Sequence, residues 1–159
     1  MTLNELGSLG EFVGAIAVVI SLVYLALQIR QNTRAVQSTI HQAMLDSILR
    51  VSASLSDSGG MARIVQKAND DYENLTDDER LRFEAYADRT VANYETAFHN
   101  WQGSMIDPAL WRSWSLSILS DLSDPGLRRY WEEKKHLYLI EFTDYVDQHL
   151  DLGAGAASE

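Results

Sequence analysis

The sequence predicts an all-α protein in which a single N-terminal transmembrane helix continues into a long stalk helix, followed by a small aromatic-cored helical bundle. An uncharged, largely apolar run covers residues 12–29. Apolar side chains recur at helical spacing in the later segments, and no segment alternates apolar and polar residues as a half-buried strand does. We divide the chain into the transmembrane helix with its flanks (1–34), the stalk (35–57), the bundle, which packs on the stalk (58–151), and a flexible tail (152–159).

The N-terminal run has the length of a membrane span, because as a helix it rises about 27 Å, close to the hydrocarbon thickness of a bilayer. A cleaved signal peptide is disfavoured, since Glu5 and Glu11 rather than basic residues precede the apolar core. A buried helix of a soluble core is disfavoured because the run leaves almost no water-facing side. Arg30 and Arg34 follow the core. This charge asymmetry predicts an N-terminus outside and a C-terminal domain in the cytoplasm.

Composition limits the classes of partner and chemistry. The formal net charge is −10. Residues 1–34 contain two acids and two arginines, so the whole acidic excess lies in the later part of the chain. An acidic domain is repelled by nucleic acid and by anionic lipid headgroups, and we predict no nucleic-acid partner. The chain has no cysteine, which excludes disulfides, thiolate metal sites and cysteine nucleophiles.

Local signals predict where the helices of the bundle begin and end. Residues 56–60, rich in Ser and Gly, end the first helix. Thr76 and Glu79 match a capping box, in which two side chains satisfy free amides at a helix start. Asp-Pro pairs at residues 107–108 and 124–125 place a capping acid before a proline that loses no hydrogen bond in the first turn. The predicted helices cover residues 61–72, 77–102, 108–122 and 125–150.

Each of the last three predicted helices carries an apolar, largely aromatic stripe on one face. We interpret these stripes as the packing core of a small bundle rather than as a pocket for haem or another flat ligand, because aromatic side chains bury much area per residue. The stripes are Phe83, Ala87, Tyr94, Phe98 and Trp101; Trp111, Trp114, Ile118 and Leu122; and Leu127, Trp131, Tyr138, Phe142 and Tyr145.

Candidate chemistry is limited to two carboxylate and imidazole pairs. Glu95 and His99 lie one helical turn apart, as do Glu132 and His136. Di-metal sites in helical bundles instead use Glu and His three residues apart, together with further inward-facing Glu residues that this chain lacks. Surface hydrogen bonding or ion pairing explains both pairs. We therefore predict no catalytic, cofactor-binding or metal-binding residues, and no enzyme.

A seam of small and polar residues at heptad spacing runs along the N-terminal helix. The opposite face, which we call the lipid face, is apolar and suited to lipid, and it holds Phe12, Ile16, Val19, Leu22, Val23 and Ile29. Gly10 and Gly14 form a small-xxx-small step, which lets two helix backbones approach closely. With one predicted span per chain, the simplest partner of the seam is a second copy, and we expect a homo-oligomer. The candidate site residues are Gly10, Gly14, Ala17, Ser21, Tyr24, Gln28, Gln31 and Arg34.

Two functions remain open. In the first, the lipid-embedded helix anchors and oligomerises the chain, and the acidic helical domain is a scaffold or binding module for a protein partner. In the alternative, the oligomer is an ion channel or pore lined by the seam, since pore walls offer small or polar groups that lipid-facing walls cannot. The pore-lining residues would be Gly14, Ala17, Ser21, Tyr24 and Gln28.

Several segments resemble a set of short, uncharacterised bacterial proteins that have one N-terminal transmembrane helix and a cytoplasmic helical domain. The resemblance rests on GSLGEFVG at residues 7–14, LQIRQNTR at 27–34, DPG at 124–126 and Tyr130-Trp131. It implies the same topology and a bacterial inner-membrane location. No established activity is attached to this set, so the resemblance carries over no functional residue.

Overall fold

The structure is a computed structural model that describes residues 3–56 and 60–156, with side chains at 7, 10–56 and 60–150. It contains six α-helices and no strand within these residues, which confirms the all-α class. The helices are α1 (Leu3–Ser56), α2 (Gly60–Asp71), α3 (Asp77–Gln102), α4 (Pro108–Asp121), α5 (Pro125–Lys134) and α6 (Ile140–Ala156).

The chain divides into two compact units, Met1–Thr39 and Ile40–Glu159. The first unit is the N-terminal part of α1, which confirms that this end of the chain forms a single long helix. The second unit holds the end of α1 and all later helices. Within it, Met44 of α1 is buried and Ile40 packs against the core, whereas Ile48 is exposed.

The second unit is organised around α3, which contacts α2, α4, α5 and α6. The aromatic core predicted from the stripes is confirmed. In α4, the stripe residues Trp111, Trp114 and Ile118 are buried, and so is Leu122, which directly follows the helix. Phe83, Trp131 and Phe142 are fully enclosed. Three aromatic stripe residues are partly buried and pack against this core: Trp101, Tyr138 and Tyr145.

Phe98 lies at the centre of the largest group of rings. Its centroid lies 5.5 Å from that of Phe142, 5.2 Å from that of Tyr145 and 5.9 Å from that of Trp111. Trp111 in turn stacks on Trp101, with centroids 4.6 Å apart and planes 9° from parallel. Offset and edge-on ring contacts add to area burial. The rings therefore join α3, α4 and α6 in one apolar cluster.

The predicted starts of α3, α4 and α5 are confirmed, but the Asp124 side chain predicted to cap α5 makes no capping hydrogen bond. The Thr76 hydroxyl accepts a hydrogen bond from the Glu79 N–H, and the Glu79 carboxylate accepts one from the Thr76 N–H at 2.8 Å. At the start of α4, Asp107 Oδ1 accepts from the Ala109 N–H at 2.8 Å. These side chains replace hydrogen bonds that the first turn of a helix cannot make internally.

The capping box also gives stability a pH dependence. Lys67 Nζ donates to Glu79 Oε2 at 2.5 Å, and this bond, with the Thr76 N–H, lowers the pKa of Glu79 from 4.5 to about 2. A carboxyl whose pKa is depressed by folding contributes stability above its unfolded pKa, and the contribution is lost as pH falls. Unfolding titrations should therefore show a loss of stability between pH 4.5 and about 2 that is smaller in Glu79→Gln. Removing the partner with Lys67→Met should reduce the same slope; a wild-type slope in both variants would contradict the assignment.

One helix prediction is wrong. The segment 125–150 is not a single helix, because a 3-10 turn at Lys135–Leu137 and an extended residue, Tyr138, separate α5 from α6. Tertiary hydrogen bonds replace the helical ones at this break. The Tyr138 and Tyr130 hydroxyls both donate to Asp88 Oδ1, at 3.1 and 3.2 Å. The Leu139 N–H donates to Glu95 Oε1 at 2.6 Å.

Asp147 reinforces the break from the α6 side. It accepts hydrogen bonds from the Trp131 indole N–H at 2.8 Å and from Lys135 Nζ at 2.5 Å. Burial opposes ionisation of this carboxyl, but these donors outweigh it and lower the pKa of Asp147. Beyond the break, α6 runs to Ala156, so residues 152–156 of the predicted flexible tail have helical backbone, and 157–159 lie outside the described residues.

Gly126 of α5 lies in close contact with α2. Its N–H donates to Asn69 Oδ1 at 2.9 Å, and a Cβ added here would lie 2.8 Å from that oxygen and 3.1 Å from Ala68. Gly126→Ala should therefore force the two helices apart and lower the free energy of unfolding by about 1–3 kcal/mol, the usual cost of overpacking. Urea unfolding measures this change.

Gly60 provides the matched control, because a Cβ there would meet no atom within 4 Å. Gly60→Ala should change the free energy of unfolding by less than about 0.5 kcal/mol or raise it slightly. Equal losses for the two variants would show that the packing at Gly126 has no special role.

Candidate functional site

The eight seam residues all lie on α1 and are all exposed. They are not alone, since no described side chain from residue 10 to residue 36 is buried. Phe12, Ile20 and Tyr24 expose 65%, 63% and 67% of their surface. Within the part of the chain that the structure describes, α1 is the one helix long and apolar enough to cross a membrane, with a mean hydropathy of 2.4 over its most apolar window. Water is a poor solvent for such a surface.

The seam glycines are not required by the fold of the chain itself. A Cβ added at Gly10 or at Gly14 would meet no atom within 4 Å, in contrast to Gly126. Glycine also lowers the intrinsic stability of a helix interior by about 1 kcal/mol relative to alanine. Within the described residues, nothing that packs on Gly10 or Gly14 offsets this loss. A close approach by another helix would do so.

The polar groups of the seam are partly satisfied within α1. The Ser21 hydroxyl donates to the Ala17 carbonyl at 2.8 Å, one turn earlier on the same seam. Ser21 therefore needs neither water nor a partner chain to satisfy its donor. The side-chain amides of Gln28 and Gln31 are longer and exposed, and they line a shallow concavity on the helix surface together with Leu25 and Ala35.

Heptad spacing has a geometric consequence for a long helix. A straight α-helix drifts by about 20° per heptad from a strict seven-residue repeat, so the seam rotates by about 60° between Gly10 and Gln31. Two such helices keep their seams in contact along this length by winding into a left-handed supercoil. The seam thus suits close packing over several turns.

The glutamates of the two carboxylate and imidazole pairs, Glu95 and Glu132, bind other groups of the protein. Glu95 accepts the hydrogen bond from the Leu139 N–H and so caps α6. Glu132 pairs with Arg128, whose Nε lies 3.0 Å from Glu132 Oε1. Among the described residues, no group of three or more His, Asp or Glu side chains is arranged to hold a metal ion.

A cleft in the second unit was not foreseen from the sequence. Two adjoining cavities of about 290 and 180 Å³ lie between the end of α1 and α3, and both are lined by Asn93 and Trp114. No motif marks these positions. The cleft depends on how α1 packs on α3, which periodicity within one helix does not reveal.

The smaller cavity contains a half-buried acid, Asp121. The Tyr94 hydroxyl donates to Asp121 Oδ2. Burial raises the pKa of Asp121, and the nearby Asp124 adds to the effect. Burial and the Asp121 carboxylate together raise the pKa of Tyr94 well above its ordinary value. The pair joins α3 to the end of α4.

The fold and these surfaces define an all-α protein with an aromatic-cored bundle and one exposed apolar helix of membrane-spanning length. Comparison with protein-family models, with curated proteins and with solved structures finds no match to this chain. Its function is therefore argued from its own residues.

Proposed function

We propose that the protein is a single-pass membrane protein that homo-oligomerises through the seam on α1 and presents its acidic helical domain as a scaffold or binding module. The observation that carries the proposal is that every described side chain of α1 from residue 10 to residue 36 is exposed, although the most apolar 18-residue window of this helix has a mean hydropathy of 2.4. Lipid on one face and a second copy on the other would cover this surface.

The proposed orientation places the N-terminus outside and the C-terminal domain in the cytoplasm of a bacterium. Its support is the position of Arg30 and Arg34 after the apolar run and of Glu5 and Glu11 before it. The bacterial inner membrane is proposed from the sequence resemblance. Reporter fusions at each end of the chain test the orientation, and an N-terminal reporter active only in the cytoplasm would contradict it.

Replacing the two seam glycines with larger residues tests self-association. The double variant Gly10→Leu/Gly14→Leu keeps the helix apolar but prevents close backbone approach. We expect its purified, detergent-solubilised complex to shift from oligomer towards monomer, with an association constant at least roughly tenfold lower, which is about 1.4 kcal/mol. Mass photometry or sedimentation of the complexes measures this shift.

Ala26→Leu is the matched control for this test. Ala26 is also a small residue within the apolar run, but it lies on the opposite side of the helix, about 160° from Tyr24 at 100° per residue. The control should keep the wild-type size. An unchanged size in the glycine variant, or an equal shift in both variants, would refute association through the seam.

A protein partner of the bundle is supported by an exposed apolar patch at the break between α5 and α6. Leu137, Leu139 and Ile140 are all exposed within four consecutive residues, beside the exposed acids Glu141 and Asp144. Clustered exposed apolar side chains are typical of interaction sites. The double variant Leu137→Ser/Ile140→Ser should lose partner proteins recovered from membranes by cross-linking, whereas Leu81→Ser, an exposed leucine on α3, should retain them.

The alternative function is an ion channel or pore lined by the seam. The exposed hydroxyl and amide groups of Ser21, Tyr24 and Gln28 within an otherwise apolar helix favour it. This proposal predicts ion flux through liposomes containing the oligomer, changed by Ser21→Leu or Gln28→Leu. The absence of flux from a well-folded oligomer would eliminate the channel and leave the scaffold.

A further inference from the structure

The larger cavity of the cleft has the composition of a small-molecule site. Its volume of about 290 Å³ is near the lower end for ligand pockets, which run from about 300 to 1,000 Å³. Met44 and Trp114 provide its apolar walls. Polar side chains converge on the same space, namely Ser47, Arg50, Asn93, Thr96 and Asn100.

Within the described chain, three side chains in this cavity keep hydrogen-bond donors without a partner, beside the acceptor oxygens of Ser47, Thr96 and Asn100. Asn93 Oδ1 already accepts from the Ser47 hydroxyl at 2.5 Å, which leaves the Asn93 amide N–H groups to donate. Among the described residues, the Asn100 amide and the Arg50 guanidinium have no hydrogen-bond or ion-pair partner. A guanidinium alone offers five N–H donors in a fork that matches a carboxylate.

The lining is unusual for so acidic a chain. The protein has a net charge of −10, yet no carboxylate lines this cavity. Asp46 lies one turn before Arg50 on α1, but no ion pair joins the two within the described residues. Of the described residues that line this cavity, Arg50 is the one with a charged side chain.

We propose that this cavity binds a small organic carboxylate. The carboxylate would lie at Arg50 with the Asn93 amide, and the apolar body would pack against Met44 and Trp114. A charge-assisted, bidentate pair with arginine is among the stronger hydrogen-bonded interactions in proteins. The site depends neither on the membrane nor on oligomerisation, so it can fail while the proposed function holds, and the reverse.

Equilibrium dialysis with the full chain in lipid nanodiscs tests the site, with empty nanodiscs as the blank. The probes are phenylacetate, benzoate and hexanoate, and the neutral comparison is phenylacetamide. We expect saturable binding of at least one carboxylate, and at least roughly tenfold weaker binding of the amide, because a hydrogen bond to a charged group contributes about that factor or more.

Substitutions in the cavity should weaken carboxylate binding, whereas loss of a positive charge elsewhere on the surface should not. Arg50→Met should weaken carboxylate binding at least roughly tenfold. Its matched control is Arg89→Met, since Arg89 is exposed on α3, outside the cavity, and has no ion pair within the described chain; this variant should bind as the wild type does. Ala43→Phe should fill the cavity from α1 and abolish binding while Arg50 is retained.

The outcomes decide the proposal. No saturable binding of any of the three carboxylates by the wild-type chain would overturn it. So would equal affinity for phenylacetate and phenylacetamide, equal losses in Arg50→Met and Arg89→Met, or unchanged binding in Ala43→Phe. Near-UV circular dichroism checks that each variant keeps its aromatic core; for a variant that loses it, Arg50→Lys and Ala43→Leu replace the larger changes, with the same expected directions.

Discussion

Replacing Val19 and Val23 with aspartate should release the chain from the membrane. Both side chains lie on the face of α1 opposite the seam and are more than half exposed. On insertion scales, an aspartate at the centre of a span is unfavourable by about 2.5–3.5 kcal/mol, whereas valine is slightly favourable. Two such changes shift insertion by about 6 kcal/mol. We expect the variant to leave the carbonate-resistant membrane fraction in which the wild-type chain remains.

The control applies the same chemistry to the bundle. Leu81 and Leu116 are 70% and 63% exposed in the second unit. Leu81→Asp/Leu116→Asp should therefore stay in the membrane fraction. A Val19→Asp/Val23→Asp chain that resists carbonate extraction as the wild type does, or a wild-type chain found in the soluble fraction, would contradict the proposed span.

Phe142→Ala should cause the largest loss of stability in the bundle. The side chain is 0% exposed, and its ring lies 5.5 Å from Phe98 and 5.6 Å from Trp131, the latter edge-on. Truncation removes buried apolar area and leaves a cavity among rigid rings, at a cost of about 3–5 kcal/mol. Since small domains are stable by only about 5–15 kcal/mol, this is a large part of the total. Urea unfolding followed by near-UV circular dichroism measures it.

Phe12→Ala is the matched control, because Phe12 is 65% exposed in the first unit. It should leave the free energy of unfolding of the bundle within about 0.5 kcal/mol of wild type. Phe142→Leu should fall between the two. A loss below about 1 kcal/mol in Phe142→Ala would mean that the aromatic cluster is not the core that stabilises the bundle.

The helices that could be predicted are those that begin at a local capping signal in the sequence. The capping box at Thr76 and Glu79 and the Asp-Pro pairs place the starts of α3, α4 and α5, and each acts within a few residues of itself. Stripe spacing then identifies the buried faces, since burial follows from helical periodicity.

The break between α5 and α6 could not be predicted in this way. No Pro or Gly lies in residues 134–141, and the helical pattern continues through them. The break is held by groups from a distant helix, Asp88 and Glu95 of α3, which accept hydrogen bonds from Tyr138 and Leu139. Such contacts exist only after the bundle has assembled.

Of the two candidate sites, the seam could be predicted from the sequence and the cavity could not. The seam is a pattern within one helix, so sequence periodicity was enough to identify it. The cavity beside Arg50 is formed by α1, α3 and α4 together, and its key property is that Arg50, Asn93 and Asn100 keep unused donors. Arg50 and Asn93 are more than 40 residues apart in the chain, so no local motif marks the site.

Single-cysteine cross-linking in native membranes tests the central claim most directly. The chain has no cysteine, so each variant carries one thiol at a chosen place on α1. Oxidation should produce disulfide-linked dimers from Ala17→Cys, Ser21→Cys and Gln28→Cys on the seam, and few from Val19→Cys and Leu22→Cys on the lipid face. Equal cross-linking on the two faces, or dimers from the lipid face alone, would contradict assembly through the seam.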